Sequence, residues 1–436
     1  MFVQIGLIFL AIVLLMILGI PVGIAFGAGA LVMLFAGEVD PVWAIAQSLH
    51  LLSSYNFLVL PLYILLGSII GISGMAQKLA DFAIALVGRL RGGLGVSVII
   101  ANGVFGAMSG SALSALGGMG KSFLEPLERQ GYPKSYALAL LIPSAVLSTL
   151  IPPSGFMIIF GFLGRLSIAK CFLAGMIPGL VLMVFLSITH LVMCQRIKGI
   201  FVPPVMGLRH QFTQIAKVTR RGILTLIIPV VVLGSIYGGI ASVAESAAIG
   251  AAYALVISVF VYRTIKLQQM GSILITASRL VGSILILFFF FIVLNQVLVI
   301  EQVSEKLLAI MMTISTNRYV IMSMMNLLML LMGMMLDDHA TVVIAVIILL
   351  PIAVDLGYDP YHFAAVACIN LELGLITPPV APLLYLGGHI AGDMPLGQYV
   401  KPVLWFLLCA FLPTMLLTIF IPELSTYLPG LFSRSG

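Results

Sequence analysis

Three polar interruptions in this chain recur at one fixed interval. Ser109–Gly110–Ser111, Gly131–Tyr132–Pro133 and Ile151–Pro152–Pro153 are answered by Asp337–Asp338–His339, Gly357–Tyr358–Asp359 and Thr377–Pro378–Pro379. Ser111 to Asp337, Gly131 to Gly357 and Pro153 to Pro379 are each 226 positions apart. One such interval arises by chance, whereas three equal ones argue for a duplicated fold. Each copy sets helix-breaking Gly or paired Pro inside apolar sequence. In a membrane, broken helices at matching places in two halves point to a site for ions and small solutes.

The membrane follows from composition. Hydrophobic residues make up 61% of the chain and charged residues 8%, against about 25% charge in an ordinary soluble domain. No soluble core absorbs that much apolar surface, so lipid is the solvent. Apolar runs of roughly 20 residues, enough to span, recur along the whole length. They lack strict alternation, which argues against a β-barrel. No Lys or Arg precedes Lys78, so the start of the chain lacks the charged region of a cleaved signal. The net charge of +6 is scattered at span ends, which argues against nucleic-acid binding. Cys171, Cys194, Cys368 and Cys409 lie far apart in apolar sequence. That spacing suits neither metal nor disulfide and predicts buried, inert thiols.

The pattern predicts an all-α polytopic membrane protein with five spans in each half. In the first half they fall near 2–18, 20–36, 50–73, 135–166 and 171–194, and in the second near 222–237, 240–262, 280–300, 361–392 and 402–421. Segments 93–128 and 318–354 each have a polar break in the middle and read as re-entrant hairpins. Such backbone is tolerated at membrane depth only where protein or water covers it. The halves run over 1–194 and 222–436, joined by a polar connector at 195–221 with six Lys/Arg. Segments 75–88 and 303–314 look amphipathic and suit arms along the interface.

Charge fixes the orientation. Arg89 and Arg91 precede the first hairpin and Lys121, Arg129 and Lys134 follow its tip, which places its base in the cytoplasm. The second is flanked by Arg318, Asp355 and Asp359, a cation-poor set that fits the outer side. Five spans is an odd number, so the second half inserts upside down and the repeat is of inverted topology. Sixteen Lys/Arg then fall inside, while Arg165, Lys170, Lys306, Arg318 and Arg434 fall outside.

The breaks carry the chemistry. Backbone carbonyls freed by Pro, together with hydroxyl oxygens, are hard ligands that suit Na⁺. The first candidate site is Ser109, Ser111, Ser148, Ile151 and Pro153. The same interval maps it onto Met335, Asp337, Gly374, Thr377 and Pro379. Half-helix N-termini at the breaks turn positive ends toward an anion between them. The candidate substrate contacts are Ser111, Ser154, Asp338, His339 and Pro379. A carboxylate inside a membrane is costly and usually functional. Asp337 and Asp338 are neighbours on one turn and point apart, unlike the paired aspartates of a protease, which share a proton. No Gly-x-Ser-x-Gly motif supports a hydrolase. An ion channel needs a continuous polar lining, and two isolated tips do not supply one. An uncoupled scaffold subunit is the remaining alternative. Glu372 reads as a group paired within the protein, and Glu245 as a helix-start acid.

On these residues the chain resembles the large membrane subunit of tripartite ATP-independent periplasmic (TRAP) transporters. The carrying motifs are Phe105–Gly106–Ala107–Met108–Ser109–Gly110–Ser111, Ile151–Pro152–Pro153–Ser154 and Gly374–Leu375–Ile376–Thr377–Pro378–Pro379–Val380, with Met334–Met335–Leu336–Asp337 and Asp359–Pro360–Tyr361–His362–Phe363 beside them. The resemblance covers nearly the whole chain. It implies a bacterial inner-membrane, elevator-type secondary transporter driven by Na⁺ and carrying an organic anion, such as a carboxylate or a sialic acid. It also implies two partners, a small four-helix membrane subunit and a periplasmic substrate-binding protein.

Overall fold

The computed structural model describes residues 2–36, 39–88, 90–201, 208–336 and 338–434. Arg89 and Asp337, both singled out above, lie outside the described residues. Within the described residues all regular structure is helical, and nine helices are long and apolar enough to cross a bilayer. Helices or helix pairs stand near every expected span, so the protein is a polytopic membrane protein.

Local chemistry sets the helix starts. Asp40 accepts a hydrogen bond from the Val42 N–H ahead of Pro41. Asp359 accepts from the N–H groups of Tyr361 and His362 ahead of Pro360. An acceptor side chain followed by Pro at the first helical position satisfies donors that the helix cannot. Glu245 caps its own helix: its carboxylate accepts from the Ser242 N–H at 2.7 Å, and Ser242 Oγ accepts from the Glu245 N–H at 3.2 Å.

A pair of helices joined at a polar break stands at each expected hairpin, and in the second both helices are long and apolar enough to cross a bilayer. The first is Gly93–Ser109 and Ala112–Arg129, broken at Gly110–Ser111. The second is Arg318–Met335 followed by Asp338–Ile344, a π-helical stretch Ala345–Leu349 and Leu350–Asp355. Adding 226 to the boundaries 109, 112 and 129 gives 335, 338 and 355, the boundaries of the second hairpin. The fourth spans match likewise. Lys134–Ala145 and Leu147–Leu150 break before Gly155–Leu163, and Pro360–Leu375 breaks before Pro382–Ile390. The arms are helices Met75–Val87 and Val303–Ile314.

Lipid gives helices no hydrophobic reason to associate, so close packing of small residues does that work. Each hairpin crosses its broken span at such a point. A Cβ on Gly106 would sit 2.4 Å from Ser148 Cα, and one on Gly374 would sit 2.5 Å from Gly333 Cα.

The differences from the sequence reading lie at the edges. Pro41–Leu52 is a separate helix, and Val42, Trp43, Ile45 and Leu49 on it are exposed. It precedes a span that begins at Tyr55. Its hydrophobic run is too short to register as a span, and its outward apolar face suits the bilayer surface. The span expected from 280 is a helix of 31 residues, Met270–Ile300, because Ser272, Thr276 and Arg279 lower the local hydropathy without ending the helix. Leu208–Tyr237 runs unbroken from the polar connector into the next span. Of the four cysteines three are buried, as expected, but Cys409 is exposed. It sits in a π-helical stretch, Leu407–Phe411.

Candidate functional site

The first tip forms because the chain must reverse direction within two residues. Gly110 ends the first helix at φ +63°, a left-handed conformation that Gly adopts without penalty. Ser111 is extended and caps the next helix by accepting from the Ser114 N–H at 3.4 Å. The tip is tied to the broken span behind it, since the Gly155 N–H donates to the Gly110 carbonyl at 2.9 Å. A Cβ on Gly110 would meet the Pro153 carbonyl at 2.8 Å. The second tip is tied in the same way: the Val380 N–H donates to the Met334 carbonyl at 3.2 Å.

The two tips share a cavity of about 270 Å³. Ser109, Ser111 and Pro153 line it from the first half and Asp338 and His339 from the second. Five residues singled out in the sequence, more than 220 positions apart at the extremes, therefore meet in one space. Tyr63, Gly67 and Ser68 add a third wall, and a Cβ on Gly67 would stand 3.3 Å from the Ser109 carbonyl. None of these three was singled out in the sequence, since no break marks their span. Leu280 and Ile284 close the cavity from the long helix Met270–Ile300.

Oxygen is the main polar element here. Ser109 Oγ is buried without a hydrogen-bond partner, an arrangement that costs free energy unless a ligand completes it. Ser148 Oγ donates to the Ala145 carbonyl at 2.6 Å, and Thr377 Oγ1 donates to the Leu373 carbonyl at 2.7 Å. A hydroxyl that donates to a carbonyl still has lone pairs to offer a cation. Among the described residues no three His, Cys, Asp or Glu side chains gather as they would around a transition metal. An all-oxygen donor set suits a hard cation rather than a transition metal.

The remaining candidates stand behind the cavity or beside it. Ser154 caps Gly155–Leu163 by accepting from the Met157 N–H at 3.2 Å, and it donates to the Thr149 carbonyl. Ile151 is half-buried next to the buried Pro152–Pro153 pair. In the second half Thr377 and Pro378 are half-buried, while Met335 and Pro379 are exposed. Gly374 is buried at the helix crossing. Glu372 is fully buried and neither carboxyl oxygen has a hydrogen bond of ordinary geometry. Thr149 and Asp338 are the polar groups that engage it, in keeping with the expected pairing within the protein.

A profile of the family described as the tripartite ATP-independent periplasmic transporter, DctM component, matches residues 9–424. The chain is 31% identical over 423 residues to the sialic acid TRAP transporter large permease protein SiaM of Vibrio cholerae, covering 97% of each chain. It is 29% identical over 409 residues to the C4-dicarboxylate TRAP transporter large permease protein DctM of Pseudomonas aeruginosa, covering 94% of each. Among solved structures, the YdaH transporter of Alcanivorax borkumensis superposes with a TM-score of 0.57 over 84% of this chain and 86% of that one. At 15% identity that likeness speaks to the fold alone.

Proposed function

Because the chain belongs to the DctM component family of the tripartite ATP-independent periplasmic transporters, we propose that it couples the uptake of an organic anion to Na⁺ by an elevator motion of its two hairpins. Family membership makes it a transporter rather than an enzyme, and a multi-pass protein of the bacterial inner membrane. The observation that carries the finer reading is the cavity in which both tips meet. A carrier needs one site reached from either side, and a site built from the tips of two hairpins is one that hairpin movement exposes or covers. The inverted-topology repeat is supported by helix boundaries that recur at 226 positions and by the charge bias of the flanks.

In this reading Ser109, Ser111, Ser148, Ile151 and Pro153 surround one Na⁺, and Met335, Asp337, Gly374, Thr377 and Pro379 surround another. The anion lies between the tips against Ser111, Asp338 and His339, with Ser154 and Pro379 shaping the helix ends behind. A carboxylate or a sialic acid is the substrate class that the relatives' names suggest. A soluble binding protein delivers the anion, and a small helical membrane subunit serves as the frame against which the hairpins slide.

Reconstitution tests this directly. Proteoliposomes that hold the chain with both partners are expected to accumulate labelled anion under an inward Na⁺ gradient, and not when K⁺ replaces Na⁺. Ser111→Ala and Thr377→Val each remove one oxygen ligand, worth about 1–3 kcal/mol, or roughly ten- to a hundredfold in the Na⁺ concentration required. Equal uptake without Na⁺ would sink the coupling, and full-rate uptake by the chain alone would sink the tripartite arrangement.

A further inference from the structure

The cavity between the tips has two unlike sides. One is polar: Ser109, Ser111 and Ser114 from the first tip and Asp338 and His339 from the second. One of these groups, Ser109 Oγ, is buried without a hydrogen-bond partner, whereas the Tyr63 hydroxyl lies against Ser246, which does not line the cavity. Ser109 is 7% exposed, so its hydroxyl is an orphaned polar group on the cavity wall, placed to meet a ligand. The other side is hydrocarbon: Leu60, Ile64, Leu113, Phe156, Leu280 and Ile284. Among the described residues that line the cavity none is Lys or Arg.

We propose that this cavity takes a small organic monoanion, one acidic head on an aliphatic body, and discriminates against dicarboxylates and polyhydroxylated sugar acids. The inference rests on the reading of the cavity as the substrate site. The head fits the polar side, where Ser109, His339 and the start of helix Ala112–Arg129 supply donors. The body fits the hydrocarbon side. A second carboxylate at the far end of the body faces the hydrocarbon side, where it finds no fixed cation. Burying a charge without a partner is unfavourable. A sugar acid fails for a different reason, because each hydroxyl turned to the hydrocarbon wall loses water and gains nothing, at roughly tenfold in affinity per group. Size agrees: about 270 Å³ lies just below the range of roughly 300–1,000 Å³ usual for drug-sized ligands.

The full-length chain in lipid nanodiscs with Na⁺ present is the preparation, and the binding affinity of three probes is the measurement: 4-methyl-2-oxopentanoate, succinate and N-acetylneuraminate. The branched monocarboxylate is expected to bind at least about tenfold tighter than either of the others. His339→Gln is expected to weaken it by roughly ten- to a hundredfold, the worth of a hydrogen bond to a charged group. Leu113→Arg places a cation on the hydrocarbon wall and is expected to bring succinate binding up to that of the monocarboxylate. Succinate or N-acetylneuraminate binding the unmodified chain as tightly as the monocarboxylate overturns this inference and leaves the transport site standing. If none of the three binds while Na⁺ still stabilises the chain, the cavity is not the substrate site, and the underlying reading falls with it.

Discussion

The two Pro-Pro breaks occupy matching places in the two halves and live in unlike surroundings. Pro152 and Pro153 are buried, and Ser154 behind them is fully buried with both sides of its hydroxyl engaged. Pro378 is half-buried and Pro379 and Val380 are exposed. The helices after the breaks restart differently too. Ser154 is extended and caps its helix through a side chain, whereas Ala381 stands at φ +40° with no side-chain cap ahead of Pro382. Equal units in unequal surroundings are what the proposed elevator requires of any one stop in its cycle: one gate covered, the other open. The comparison also separates what the two halves share, the positions of the breaks, from what they vary, the way each helix restarts.

The largest effect expected is all-or-none. If the halves are inverted, the bases of the two hairpins face opposite sides. Single cysteines at the exposed Glu128 and Asp355, in a background cleared of native Cys, are then labelled by an impermeant maleimide from opposite sides of the membrane. Labelling from the same side would break the comparison at its root. Next in size is the pair of helix crossings. Gly106→Val and Gly374→Val each drive side-chain atoms into facing backbone, a clash expected to cost about 3 kcal/mol or more and to abolish uptake. Gly117→Ala, with nothing within 4 Å of its Cβ position, is expected to leave both stability and uptake unchanged. Thermal unfolding in detergent gives the first readout, and tolerance at one crossing alone would show that the two halves do not pack alike. The smallest effect concerns the restarts. Ala381→Gly removes a left-handed strain of about 1–2 kcal/mol and adds about 0.5–1 kcal/mol of chain entropy cost, for a rise of about 1–2 °C in Tm. Ser154→Ala is expected to lower Tm by a similar amount, through loss of a cap worth about 1 kcal/mol. Shifts of one sign at both places would mean that the restarts are not built on different principles.

Sequence pattern was most informative where polar residues interrupt long apolar runs. The tips at Ser109–Ser111 and Asp338–His339, the breaks at Pro152–Pro153 and Pro378–Pro379, and the arms at Met75–Val87 and Val303–Ile314 were all readable in that way. It was least informative where hydropathy and helicity part company. Pro41–Leu52 mixes Trp43 and Leu49 with Gln47 and His50 and falls mostly between the expected spans 20–36 and 50–73, although Asp40 and Pro41 are a helix-start signature. The start of Met270–Ile300 hides behind Gly271, Ser272 and Arg279. In the cavity, the residues from outside the hairpins and broken spans were missed. Tyr63, Leu280 and Ile284 belong to spans that no break marks, and tertiary packing alone brings them to the tips. The burial of Glu372 could not be read from its neighbours Leu371 and Leu373, since both faces of that helix are covered.

The helix Met270–Ile300 carries one more consequence. At about 1.5 Å per residue its 31 residues reach roughly 46 Å, while the hydrocarbon layer is about 30 Å thick. Tilt alone would have to exceed the range of roughly 0–40° that spanning helices adopt, so part of the rod stands outside the oil. The same helix presents Leu280 and Ile284 to the cavity and grips Pro41–Leu52 through Gln296, whose Nε2 donates to Ser48 Oγ at 3.2 Å. A membrane that thickens or thins changes how deeply this rod is immersed, and with it the height of one wall of the site. Under the proposed function, bilayer thickness thereby becomes a mechanical input to the site between the tips.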